Sequence, residues 1–246
     1  SFSSVWEAAH AEESIDWWDE GNRSTDRCTI GYAAKELVYH LGLAEGREAA
    51  PEFINNAASE PLNTEAGDLT TVWVGAPAPG TEAETAWLQV RAEEQSAWEG
   101  LPEEGYLVKQ VVLSGSSHIF AVGKSRVGTL YAVYALLEKL GFRWFGLGLQ
   151  GTHVPDASEL QTEPGLRLID APTFVTRGTY SEHIDDSNTE LIEWMGRSRI
   201  NFASFDRIDR PHLLKKLGIR LCAGGHQILY RFLNPHAEYP YRHLLF

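Results

Sequence analysis

The stretch Gly128 to Leu140, GTLYAVYALLEKL, carries the strongest secondary-structure signal in the chain. Its apolar residues recur every three or four positions, which is the spacing of a helix face, and Gly141 follows where a helix would end. Two strand-type segments precede it, YLVKQVVL at 106–113 and HIFAV at 118–122, joined by the turn-forming residues Ser114 to Ser117. We therefore predict a β-hairpin followed by a long, buried helix.

Further elements are expected upstream of the hairpin. Residues 29–43 have helical spacing, residues 70–75 (TTVWVG) form a β-branched run that ends in glycine, and residues 84–94 favour a helix. Residues 53–58 are a weaker strand candidate. Together with the hairpin and its helix, these segments predict an N-terminal α/β domain with a mixed sheet, which we assign to residues 1–163.

The pattern changes after a polar linker that ends near Pro164. Strand and helix signals then alternate with short connections, at residues 173–179, 189–198, 201–205, 211–217 and 219–223. Such alternation is typical of a parallel sheet. A closed (β/α)8 barrel needs about 250 residues. Residues 164–246 are therefore expected to hold the first two to three β/α units of an incomplete barrel, truncated at Phe246.

Composition limits the classes of partner. The 246-residue chain has a formal net charge of −13 and no cluster of Lys or Arg, so it would repel a nucleic acid. No stretch approaches the roughly 20 consecutive apolar residues of a membrane span. We expect neither a nucleic-acid partner nor a membrane partner, and a neutral substrate suits the acidic surface best. The segment Ser1 to Trp6 lacks signal-peptide features, as a processed secreted or periplasmic protein also would.

No pattern of residues predicts a metal or a cofactor. The two cysteines, Cys28 and Cys222, have no metal-type spacing, and two buried free thiols are favoured over a long-range disulfide. His183, Asp185 and Asp186 are close in sequence but match no recognised ligand spacing. Asp186 or Ser187 is favoured as the cap of the helix that follows.

A set of short motifs occurs in a fixed order. They are EGYLV at 104–108, HI at 118–119, GTLYAVYALLE at 128–138, GFRWF at 141–145, GTHVP at 151–155, APTFVTRG at 171–178 and GGH at 224–226. This ordered set resembles the accessory domain and barrel start of retaining glycosidases, including family-20 β-hexosaminidases and the α-glucuronidases. After Arg177-Gly178 the chain continues TYSE, where the hexosaminidases carry a leucine and an aspartate. The resemblance is therefore to a divergent relative.

The resemblance implies where the chemistry resides. Glycoside hydrolysis needs two carboxyl groups, which in the hexosaminidases follow the fourth barrel strand, so the catalytic residues are expected beyond Phe246. Three residues are expected to contact saccharide. The resemblance assigns Arg177 to sugar hydroxyls, with a structural arginine paired to a barrel carboxylate as the alternative. His226, behind two glycines, is a ligand contact or a loop histidine, and Glu182 lies in the first strand–helix loop.

These observations predict part of a glycoside hydrolase. Its substrate would be a hexosaminide- or glucuronide-type saccharide, its partner the remainder of its own barrel, and the chain alone would be inactive. A non-catalytic carbohydrate-binding or interaction module, complete as it stands, is the alternative. An unrelated α/β enzyme that uses the region of His226 ranks last because the chain has no nucleophile motif.

Overall fold

The computed structural model describes residues 4–19, 21–46, 70–160, 162, 164–180, 186–204 and 208–221. The described helices are α1 Val5–Ala9, α2 Ser24–Ala44, α3 Glu82–Glu93, α4 Gln95–Glu99, α5 Arg126–Lys139, α6 Thr189–Arg197 and α7 Pro211–Lys216. The described strands are β1 Thr70–Val74, β2 Tyr106–Leu113, β3 Ser116–Gly123, β4 Arg143–Trp144, β5 Thr152–His153, β6 Arg167–Asp170, β7 Gly178–Tyr180, β8 Phe202–Ser204 and β9 Arg220–Leu221. No helix in these ranges is long and apolar enough to cross a membrane.

The protein is a mixed α/β structure, as predicted. Its first sheet has four strands in the order β1-β3-β2-β6, with β1 parallel to β3 and the other pairs antiparallel. A second sheet has three parallel strands in the order β7-β8-β9, and the two-residue strands β4 and β5 pair separately. The prediction of a mixed sheet followed by parallel strands is confirmed at this level.

Helix α5 is the centre of the structure. Its amino end is capped by Ser125, whose hydroxyl accepts from the Gly128 amide at 3.2 Å, and its residues from Gly128 to Leu137 are all buried. A Cβ built on Gly128 would lie 2.5 Å from the carbonyl oxygen of Gly105. Only glycine allows this close approach of the helix to the backbone at the start of β2.

The central strands of the first sheet are buried on both faces. Alternate side chains point to opposite faces of a strand, so Tyr106 and Val108 of β2 join the core around α5. Leu107 lies between them and joins a second cluster on the other face, where Trp87 of α3 and Trp98 of α4 pack edge to face. The sheet therefore lies between two helical layers.

The second sheet and its helices share the core of α5. Ile192 and Met195 of α6, Leu214 of α7 and Ala203 of β8 are fully buried in the same apolar cluster as the α5 side chains. Strand β6 begins beyond the expected boundary at residue 163 and still pairs with β2. The first sheet thus extends past that boundary, and the division of the chain into domains at residue 163 stays a prediction.

Several local expectations need correction. The strand expected from residue 173 begins only at Gly178, because a side chain takes the backbone hydrogen bonds of the preceding residues, as described below. Helix α2 continues through Gly42 to Ala44. The hairpin turn contains two residues rather than four, since Leu113 pairs with Ser116. The strand candidate at 53–58 lies outside the described residues.

Cys28 is a buried free thiol, as favoured from the sequence. Its burial raises the pKa of the thiol to about 11, so it stays protonated at neutral pH. Cys222 lies outside the described residues. The structure therefore gives the state of only one of the two cysteines.

A buried ion pair joins α2 to α6. The Arg197 guanidinium donates from Nε and Nη2 to the two oxygens of Glu36, at 2.7 and 3.0 Å. Burial by itself raises the pKa of Glu36, but the charge and hydrogen bonds of Arg197 outweigh it and lower that pKa to about 2. Glu36 therefore stays ionised in the folded protein over almost the whole pH range.

This pair predicts an acid-sensitive contribution to stability. Because the pKa of Glu36 falls from an ordinary 4.5 to about 2 on folding, its contribution is complete above pH 4.5 and is lost as the pH falls toward 2. Glu36→Gln removes the bidentate partner of the buried Arg197, leaves only the Glu193 carboxylate at 3.6 Å, and should lower the free energy of unfolding at neutral pH by about 3 kcal/mol. Urea unfolding at neutral pH and at pH about 3 measures both effects.

The exposed Glu99→Gln is the matched control and should leave stability within about 0.5 kcal/mol. The double variant Glu36→Leu/Arg197→Met, which removes both charges, should recover much of the loss. Equal stability of Glu36→Gln and the wild type at neutral pH would contradict this account of the pair.

Candidate functional site

The parallel sheet offers one edge where a site is expected. Strands β7, β8 and β9 run in the same direction, so their carboxyl ends, at Tyr180, Ser204 and Leu221, lie along one edge. Ligand sites in barrels are built from the loops that follow such ends. Those loops begin at residues 181, 205 and 222, and residues 181–185, 205–207 and 222–246 lie outside the described residues. Glu182 and His226 belong to them, so their contact with saccharide stays a prediction.

Arg177 immediately precedes β7 and lies at the opposite, amino edge of the sheet. Its Nε donates to the carbonyl of Arg199 at 2.7 Å and its Nη1 to the carbonyl of Phe174. Its Nη2 donates to Glu104 at 2.6 Å and to the Tyr131 hydroxyl at 3.3 Å. Four of the five guanidinium donors are thus directed at protein oxygens.

Glu104 also accepts a hydrogen bond from Asn201, which immediately precedes β8. Its other carboxylate oxygen accepts from Nδ2 of Asn201 at 2.7 Å. Asn201 is 1% exposed, its Oδ1 accepts from the Arg177 amide at 2.9 Å, and its Nδ2 also donates to the Val175 carbonyl at 2.9 Å. One buried amide side chain therefore replaces strand pairing before Gly178, which explains why β7 starts late.

A second ion pair supports the same junction. Arg199 donates from Nη1 and Nη2 to the two oxygens of Glu138 on α5, at 2.9 and 2.6 Å. Between the two pairs lies Tyr131, whose pKa is raised to about 12 by burial and by the charge of Glu104. Motif residues at 104, 131, 138 and 177 thus meet at the junction of the two sheets, where they act together to join them.

Gly178 is required by the approach of β7 to β8. A Cβ at this position would lie 2.4 Å from the Phe202 carbonyl oxygen and 2.7 Å from the Phe202 Cβ. Any larger side chain would push the two strands apart. The Arg-Gly pair of the APTFVTRG motif is therefore explained by packing at the amino edge of the sheet.

The expected helix cap at Asp186 or Ser187 is wrong for α6. Asn188 caps that helix, because its Oδ1 accepts from the Leu191 amide at 3.2 Å. Asp186 is fully buried, and its carboxylate accepts from the amides of Asp209 and Arg210, where α7 begins. A negative charge at the start of a helix is favourable, so Asp186 stabilises α7, which follows it by more than twenty residues.

Four aromatic residues of the first segment, residues 1–163, contribute to packing. Tyr131 and Tyr134 are fully buried in the core around α5, and Trp73 and Trp144 are half-buried against the two clusters. All four aromatic side chains therefore pack in or against the core. Across the described ranges, no group of three or more His, Cys, Asp or Glu side chains is arranged to hold a metal ion.

The Arg177–Glu104 contact predicts a measurable coupling. Arg177→Ala should lower the free energy of unfolding by about 1.5–3 kcal/mol, since it removes hydrogen bonds to a charged group at a half-buried site. In a double-mutant cycle with Glu104→Ala, measured by urea unfolding, the coupling energy should exceed about 1 kcal/mol. Arg27→Ala, at an exposed position, is the control. If the losses in the free energy of unfolding caused by Arg177→Ala and Glu104→Ala simply add in the double variant, the contact contributes nothing.

Comparisons with known proteins assign no family to this chain. No family model matches it, and no curated protein matches it either. Its function is therefore inferred from its own residues, their geometry and the resemblance of its motifs.

Proposed function

We propose that this chain is part of a glycoside hydrolase and contains the first β/α units of its (β/α)8 barrel. The substrate would be an oligo- or polysaccharide of hexosaminide or glucuronide type. The two carboxyl groups that glycoside hydrolysis requires would be supplied by residues beyond Phe246. The 246 residues alone would then bind saccharide weakly and hydrolyse nothing.

The order of the parallel strands carries this proposal. Strands β7, β8 and β9 are neighbours in the order in which they occur in the chain, and α6 and α7 connect them. Sequential parallel strands with a helix in each connection are the repeating unit of a (β/α)8 barrel. The ordered motifs from 104 to 226 add the glycosidase assignment to this architecture.

The proposal gives the expected site residues two roles. Arg177 lies at the amino edge of the sheet, and its donors are directed at protein oxygens. The proposal therefore gives it a structural role, in which it joins the parallel sheet to the first segment. Glu182 and His226 follow the carboxyl ends of β7 and β9 in sequence. They are the residues to which the proposal assigns saccharide contact, through hydrogen bonds to hydroxyl groups.

One observation is compatible with the alternative, a non-catalytic binding or interaction module, as well as with the barrel. Phe174 and Val175 are 73% and 80% exposed beside the parallel sheet. Adjacent exposed apolar side chains are typical of surfaces that are covered by a partner. In a barrel they would face other parts of the same protein, whereas in a free module they would contact a different molecule.

The experiment compares this chain with the protein extended past Phe246 by its own gene. The extended protein should hydrolyse p-nitrophenyl N-acetyl-β-glucosaminide or p-nitrophenyl glucuronide, and the 246-residue chain should hydrolyse neither. In the extended protein, Glu182→Gln and His226→Ala should each lower kcat/KM at least tenfold, which corresponds to about 1.4 kcal/mol of transition-state stabilisation.

Glu159→Gln, an exposed carboxylate in the first segment, is the control and should leave kcat/KM unchanged. Binding of an oligosaccharide without hydrolysis by the extended protein would favour the non-catalytic module. The absence of both hydrolysis and binding would exclude the carbohydrate assignment altogether.

A further inference from the structure

A cavity of about 370 Å³ lies between α2 and α6. One wall is the face of α2 that carries Lys35 and Tyr39, and the opposite wall is the face of α6 that carries Glu190 and Glu193. Gly148, Leu149 and Thr152 complete the lining. The volume is within the range of small-molecule sites, and none of the lining residues belongs to β7, β8 or β9.

The floor of the cavity is fixed by buried polar contacts. The Glu36–Arg197 ion pair forms part of it, with side chains only 3% and 8% exposed. Beside the pair, Nδ1 of His40 donates to the Glu36 carbonyl at 2.7 Å, and Nε2 accepts from the Trp144 indole at 3.0 Å. These two contacts require a neutral imidazole, in agreement with the burial that lowers the pKa of His40. The floor is therefore preorganised.

The walls present charged groups that are not fully buried and that are only partly paired among the described residues. Among the described residues, the Glu190 carboxylate has no hydrogen-bond partner, and the nearest cation to Glu193 is Nη2 of Arg197 at 3.6 Å. The Lys35 ammonium makes no hydrogen bond within the described ranges and lies 5.6 Å from the ring centre of Tyr32 and 5.8 Å from that of Trp6. The cavity thus combines acceptors on α6 with a donor on α2.

This combination selects a class of ligand. An anion would be repelled by two carboxylates, and an organic cation would meet the Lys35 ammonium. A hydroxyl group can both donate to a carboxylate and accept from an ammonium, so a neutral molecule with several hydroxyls satisfies both walls at once. Tyr39, Leu43 and Leu149 add apolar surface for the carbon skeleton of such a molecule.

We propose that the cavity between α2 and α6 is a binding site for a neutral, monosaccharide-sized polyol. It is separate from the carboxyl edge of the parallel sheet, and it does not depend on the glycosidase proposal. Glu190 and Glu193 accept from ligand hydroxyls, Lys35 donates to them, and the Glu36–Arg197 pair holds the two helices at the required separation.

The experiment is an amide NMR titration of the ¹⁵N-labelled chain with D-glucose and with N-acetyl-D-glucosamine. Saturable shifts are expected at residues 35–43, 148–152 and 190–197, with at least tenfold weaker binding of glucuronate and of glucosamine. Glu190→Gln/Glu193→Gln and Lys35→Met should each weaken binding of the neutral sugar at least tenfold, or about 1.4 kcal/mol. Glu99→Gln should not change it.

The wild-type pattern of amide shifts in each variant would show that the fold is retained. Absence of saturable shifts with both neutral sugars would overturn the proposal, as would unchanged affinity in the Glu190→Gln/Glu193→Gln variant. Tighter binding of glucosamine than of glucose would assign the cavity to cations instead. A failure of the extended protein to hydrolyse glycosides would contradict the proposed function, whereas the binding shifts at this cavity would still be expected.

Discussion

The carboxylate of Glu104 accepts hydrogen bonds from Arg177 on one oxygen and from Asn201 on the other, at 2.6 and 2.7 Å. It precedes β2 in the first sheet, whereas both of its partners belong to the start of the parallel sheet. A half-buried carboxylate that loses one partner retains a costly unsatisfied charge. Glu104 therefore connects the starts of both β7 and β8 to the first sheet.

Other contacts reinforce the same arrangement. Arg199 and Glu138 form a bidentate pair beside it, and the Glu36–Arg197 pair connects α2 to α6 on another side of the core. Apolar side chains of α6, α7 and β8 complete the cluster around α5. Among the described residues, Glu104 and Glu138 thus contact the amino edge of the parallel sheet, opposite the edge that the proposed function assigns to ligand contact.

Local patterns were enough to predict the elements, since α5 and β2 follow from periodicity and their ends from nearby residues. The late start of β7 could not be predicted, because it depends on a side chain 24 residues away in sequence, that of Asn201. The expectation that Arg177 contacts sugar hydroxyls stays a prediction, and its partner in the structure, Glu104, is 73 residues away in sequence. Glu36 and Arg197 are 161 residues apart, and no local signal marks such a pair. The EGYLV motif was the one available pointer to Glu104, and a resemblance alone does not distinguish a junction from a ligand site.

Native-state hydrogen exchange tests most directly whether the two sheets form one cooperative unit. Amides of the β2–β3 hairpin and the Phe202 amide, which pairs with the Arg177 carbonyl, should exchange through openings of equal free energy, matching that of global unfolding. A lower opening free energy at Phe202 and its neighbours in β8, with β2 and β3 still protected, would show that the parallel sheet unfolds alone and would contradict the role given to Glu104.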